Sequence, residues 1–126
     1  NPQQVRELFS ELFDTIGDKV AVGAHFHDTR GLGLANVFAA LDAGIREFDS
    51  SLAGLGGCPY APGASGNIVT EDLVFMLEAM GLATGVDLEG LLEARVIMER
   101  QLKGEPVHGT YVMAGAPKGF VAASAA

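Results

Sequence analysis

Between two stretches of helical periodicity the chain carries Val20-Ala21-Val22-Gly23-Ala24-His25-Phe26-His27, a short run that is apolar at nearly every position. Such a run suits a strand of a parallel sheet, which is covered on both faces and loses the polar alternation of a half-exposed strand. Side chains two residues apart on a strand point the same way, so His25 and His27 project together from its C-terminal end. The surroundings repeat the pattern. Asn1-Pro2 reads as a cap followed by proline at the first helical position, and Val5, Leu8, Phe9, Leu12 and Ile16 recur at helical spacing up to Gly17. A second helix is expected over residues 32–43, with Leu34, Val37, Phe38 and Leu41 buried and Gly44 as its stop.

Residues 45–51 read as another short strand, and a glycine-rich loop follows over 53–66. Thr70-Glu71-Asp72 opens a helix running to Met80, its acids placed to suit the helix dipole. A last helix is expected over 88–103, between an Asp87 cap and Gly104. Beyond Glu105 no periodicity stands out, and 121–126 reads as a fraying tail. The order helix, strand, helix, strand, helix, helix points to a parallel sheet covered by helices. Two strands cannot close a barrel, so the pattern reads as the end of a larger α/β domain. The first residue, Asn1, fits a start within a longer natural sequence.

The chain's 126 residues are 48% hydrophobic, enough for one domain with a core. A formal net charge of −8 argues against nucleic acid or an anionic membrane surface as the main partner, since both require a basic face. No apolar run is long enough to span a bilayer, and no signal peptide is visible. A single cysteine cannot build an internal disulfide, which fits a reducing compartment or leaves the question open.

The residues able to carry chemistry gather in two places. His25 and His27 form half of a metal site, where imidazoles suit zinc, iron or manganese and the amide oxygen of Asn67 suits magnesium or manganese. The bland alternative is a hydrogen-bonded core histidine. Asp28 faces away from the pair if the strand continues, which makes it a supporting residue and not a ligand. Cys58 sits near the middle of the glycine loop, among Gly54, Gly56, Gly57, Gly63 and Gly66, with Pro59 and Pro62 stiffening the segment. A lone cysteine is most often a small buried hydrophobe. In a loop able to close over a site, its thiol could instead pass a proton to a bound substrate, and a Cys-His-His zinc site is the competing use. Glu71 and Asp72 read mainly as helix-terminal acids, and Glu78, Glu89, Glu93 and Glu99 as solvated helix faces. Lys103, Lys118 and Arg30 are the cations near segments that could meet an anionic ligand.

Several segments together resemble the 3-hydroxy-3-methylglutaryl-CoA lyases: His25-Phe26-His27-Asp28-Thr29, Gly33-Leu34-Ala35-Asn36, Phe48-Asp49-Ser50-Ser51, the Gly54 to Asn67 loop and Thr70-Glu71-Asp72-Leu73-Val74. The likeness covers roughly residues 1–103. Related metal-dependent synthases and aldolases share the His-x-His strand and a Gly-Asn element, but they lack the loop around Cys58. The resemblance implies an α/β fold, the C-terminal part of a (β/α)8 TIM barrel. Its last two strands with their helices and one extra helix would occupy 1–103, and 104–126 would be a C-terminal tail.

It further implies that His25, His27 and Asn67 hold a divalent metal, Mg2+ or Mn2+, and that Cys58 is catalytic. Asp28 and Glu71 are candidates for supporting positions, and Lys103 for contact with CoA. The family's aspartate ligand and catalytic arginine belong to the first strand and have no counterpart here. The implied reaction is a retro-Claisen cleavage of an acyl-CoA to acetyl-CoA and acetoacetate, in a homo-oligomer, dimeric or larger, of the bacterial cytoplasm or the mitochondrial matrix. Two alternatives stand beside it: a lyase of the same family acting on another 3-hydroxyacyl-CoA, and a noncatalytic partial-barrel module that binds a metal or a partner.

Overall fold

The structure, a computed structural model, describes residues 1–17, 19–57, 60, 63 and 66–125. The chain divides into two compact units: Asn1–Ser50 with Gly57–Ile68, and Ser51–Gly56 with Val69–Ala126.

The first unit opens with α1 (Pro2–Ile16), whose start follows the expected chemistry. The Asn1 side chain accepts from the Gln4 backbone N–H at 3.2 Å, while Gln4 Oε1 accepts from the Asn1 amino group at 3.2 Å, a reciprocal capping box. α1 packs on α2 (Gly33–Asp42), and Val5, Phe9 and Phe13 meet a core of Ala24, Ala40 and Ile45 together with Phe26 and Phe48. The expected apolar faces are only partly used. Leu8 is exposed on α1, and on α2 the buried positions are Gly33, Val37, Ala39 and Ala40, whereas Phe38 is 47% exposed. Small residues let the helix approach closely, which leaves the bulky Phe38 on the outer side. α2 ends in a Schellman motif: the Ile45 N–H donates to Ala40 O at 2.9 Å and the Gly44 N–H to Leu41 O at 3.0 Å. The motif requires a left-handed residue, and Gly44 supplies it at φ 103°.

β1 (Gly23–His25) and β2 (Glu47–Asp49) pair in parallel, in the register Gly23↔Glu47, Ala24↔Phe48 and His25↔Asp49. Both strands are shorter than the sequence pattern suggests. Among the described residues β1 buries only Ala24, with Gly23 and His25 on the exposed face, so the expectation of cover on both faces is not met within this chain. A small parallel sheet backed by helices is the arrangement a segment of a (β/α)8 barrel presents.

In the second unit a single 3-10 turn (Leu52–Gly54) precedes α3 (Thr70–Ala79), α4 (Leu88–Gln101) and the short α5 (Tyr111–Ala114). α4 begins at the expected cap, with Asp87 Oδ1 accepting from the Glu89 N–H at 3.1 Å. A final 3-10 turn lies at Ala123–Ala125. This end of the chain is tied down where a fraying tail was expected. Glu78, read from the sequence as solvated, is 2% exposed, and its carboxylate accepts from the Thr84 hydroxyl and N–H at 2.6 Å and from the Ser124 hydroxyl at 2.6 Å and N–H at 2.7 Å. The Ser124 hydroxyl, followed by the Thr84 hydroxyl and N–H, lowers the Glu78 carboxyl from 4.5 to about 2.

A Cβ on Gly33 would lie 2.4 Å from Ile68 Cγ2 and 2.8 Å from Asp28 Oδ1, so Gly33→Ala should destabilise by about 1–3 kcal/mol in urea unfolding. Because the Glu78 carboxyl is depressed in the folded chain, its contribution is fully present above pH 4.5 and is lost as pH falls toward 2. Protection of the Ser124 amide, taken relative to its intrinsic exchange rate at each pH, should therefore fall through that window, and Glu78→Gln should remove this pH dependence.

Candidate functional site

The C-terminal end of β1 carries the first predicted ligand, His25, and the chain continues to His27. The two imidazole rings stand edge to face with centroids 5.1 Å apart. An imidazole nitrogen binds a first-row ion at roughly 2.0–2.1 Å, so two rings sharing one ion keep their centroids roughly 4–6 Å apart. The observed spacing fits that geometry.

Asn67 is delivered by the backbone. The Asp28 N–H donates to Gly66 O at 3.1 Å and the Ile68 N–H to Phe26 O at 3.2 Å, with His27 and Asn67 paired between them as an antiparallel bridge. This ladder sets the third predicted ligand beside the second, and Asn67 Oδ1 is shielded from solvent. Two imidazoles and an amide oxygen are a donor set suited to a divalent cation of intermediate hardness. Among the described residues no group of three or more His, Cys, Asp and Glu is placed to hold a metal ion.

One partner of this pair escaped the sequence reading. His25 Nδ1 lies 2.5 Å from Asp49 Oδ1 across the β1–β2 register. The signal was the parallel pairing, which places Asp49 opposite His25 once both strands are in register. Asp28, the candidate supporting residue, holds the start of α2 by accepting from the Gly33 N–H at 2.7 Å. Cys58 lies outside the described residues.

Glu71, read first as a helix-terminal acid, has a larger role in the second unit. Fully buried, it accepts from the Ala53 N–H with both carboxylate oxygens, at 3.2 and 3.1 Å, and pairs with Arg95 at 2.8 Å. Arg95 is 3% exposed and also donates to His108 O at 2.6 Å and to Glu99 at 2.7 Å. Burial works against the Arg95 charge, but the carboxylates of Glu71 and Glu99 outweigh it and raise the guanidinium above its ordinary value. Asp72 likewise leaves the helix-dipole role, accepting from the N–H groups of Thr110 and Tyr111. Lys103 is exposed in the turn after α4.

A family model described as HMGL-like matches residues 1–98. The chain belongs to the HMGL-like family. It is 62% identical over 93 residues to the mitochondrial hydroxymethylglutaryl-CoA lyase of Homo sapiens, covering 74% of this chain and 28% of that protein. It is 50% identical over 93 residues to the (R)-citramalyl-CoA lyase of Chloroflexus aurantiacus, covering 74% of this chain and 29% of that protein. Among solved structures, an HMG-CoA lyase from Acinetobacter baumannii in complex with coenzyme A and 3-methylmalate superposes with a TM-score of 0.85 at 45% identity, covering 96% of this chain and 39% of that one. The chain thus spans about a third of the length of the curated relatives it matches. For this HMGL-like chain no helix among the described residues is long and apolar enough to cross a membrane.

The Glu71–Arg95 pair yields a stability prediction. Arg95→Met leaves a buried carboxylate without its cation and should cost about 3–5 kcal/mol in chemical denaturation. Replacing both partners with apolar residues should cost clearly less, because no buried charge is then left uncompensated.

Proposed function

We propose that this chain is the C-terminal part of a 3-hydroxy-3-methylglutaryl-CoA lyase. Residues 1–103 contribute the last two strands of a (β/α)8 barrel with their helices and one extra helix, and 104–126 form its C-terminal segment. The observation that carries this reading is the joint placement of His25, His27 and Asn67 in a chain similar to lyases of that name.

In this reading His25, His27 and Asn67 hold a divalent cation, Mg2+ or Mn2+. When bound, such a cation polarises the substrate oxygens and favours ionisation of the C3 hydroxyl. The two imidazoles and the amide fix the orientation of the substrate's hydroxyl end. A general base takes the hydroxyl proton, the C2–C3 bond breaks with its electron pair passing to C2, and acetoacetate and the acetyl-CoA enolate result. Cys58 then delivers a proton to C2. Asp28 supports the ligand segment by holding the start of α2, and Glu71 supports the loop stem through Ala53. Lys103 offers a positive charge to the CoA moiety. The protein acts as a homo-oligomer, dimeric or larger, in the bacterial cytoplasm or the mitochondrial matrix, without nucleic acid or membrane partners.

The natural full-length protein, supplied with 3-hydroxy-3-methylglutaryl-CoA and Mg2+ or Mn2+, should release acetoacetate. Cys58→Ala should lower kcat by about 10²–10⁴ while Mn2+ binding persists. Absence of acetoacetate from the unmodified protein overturns the assignment. The likeness to a citramalyl-CoA lyase supports a second reading, a lyase acting on another 3-hydroxyacyl-CoA. Turnover of citramalyl-CoA faster than that of the hydroxymethylglutaryl ester decides for it.

A further inference from the structure

The pair His25–Asp49 lies on the exposed face of the two-stranded sheet, with side chains 54% and 71% exposed. It flanks an open depression of about 320 Å3 lined by residues 23–25 and 47–49. Backbone hydrogen bonding already joins the strands, and a side-chain contact this open to water adds little to stability. Its chemical effect is on the imidazole. A ring whose Nδ1–H donates to a carboxylate is held in one tautomer, with the lone pair on Nε2 and the ring plane restrained.

We propose that Asp49 is the positioning residue of His25, holding the ring in the Nδ1–H tautomer so that Nε2 is the nitrogen offered to an ion shared with His27. The inference rests on the reading of His25 and His27 as metal ligands, although the tautomer itself is independent of any metal. Three features of the structure converge on it: the 2.5 Å contact, the register that places Asp49 opposite His25, and the edge-to-face approach of the second imidazole. Asp28, which is adjacent to the ligands in sequence, is engaged with the start of α2. The carboxylate that serves His25 comes from the neighbouring strand.

Long-range ¹⁵N–¹H NMR of the imidazoles in the metal-free, full-length protein reads the tautomer directly. His25 should show a protonated Nδ1 and an unprotonated Nε2, and Asp49→Asn and Asp49→Ala should shift it toward a mixture or the opposite tautomer, with His27 unchanged. A His25 that is already mixed, or whose tautomer is the same in both variants, overturns the proposal. Mn2+ titration followed by electron paramagnetic resonance then tests the consequence, with affinity expected to fall 10–100-fold in Asp49→Ala and thermal unfolding unchanged. Equal Mn2+ affinity in wild type and variant also overturns it. If neither binds Mn2+, the metal reading has failed, and the tautomer result still decides the assignment of Asp49.

Discussion

The register of β1 against β2 governs the chemistry of the first unit. Side chains alternate along a strand, so a slip of one residue would carry His25 to the face now occupied by Ala24 and bury it against the helices. Ala24 and Ile45 resist that slip because they fill the space beneath α1 and α2, where an imidazole would find no room and no partner. The small apolar residues that appear to serve only the core thereby dictate which side chains reach the open face. The same register brings Asp49 level with His25, and the antiparallel bridge at His27 and Asn67 extends the arrangement by one more donor.

Much of this was legible from local signals. The Asn1-Pro2 start, the Gly44 stop and the Asp87 cap are short-range chemistry, and each appears where the sequence placed it. Periodicity was less reliable for burial, because it identifies a helix face without identifying what covers it. Leu8 and Phe38 are apolar at the right spacing yet exposed, while Ala39 and Ala40 do the close packing. Strand length was overestimated for a related reason. Apolar residues flanking β1 and β2 continue the hydrophobic pattern beyond the residues that hydrogen-bond.

The acids were hardest to read. Glu71 and Asp72 lie in the first turn of one helix and Glu78 near its end, and each engages a partner 6 to 46 residues away. Arg95, Ser124 and Thr110 become their partners only when α4 and the C-terminal segment fold back on α3, and no local pattern encodes that return. The same holds at the candidate site. His25-Phe26-His27 announces two ligands by itself, whereas Asp49 acquires meaning only after strand pairing.

Ala53 adopts a left-handed backbone, φ 55° and ψ 17°, that an alanine reaches at a cost of about 1–2 kcal/mol. Both oxygens of Glu71 grip its N–H in that conformation. A glycine at 53 would reach the same geometry without that cost, but its buried N–H would still call for the acceptor that Glu71 supplies. An acid lying 18 residues away in sequence thereby holds the backbone that leads into the glycine segment.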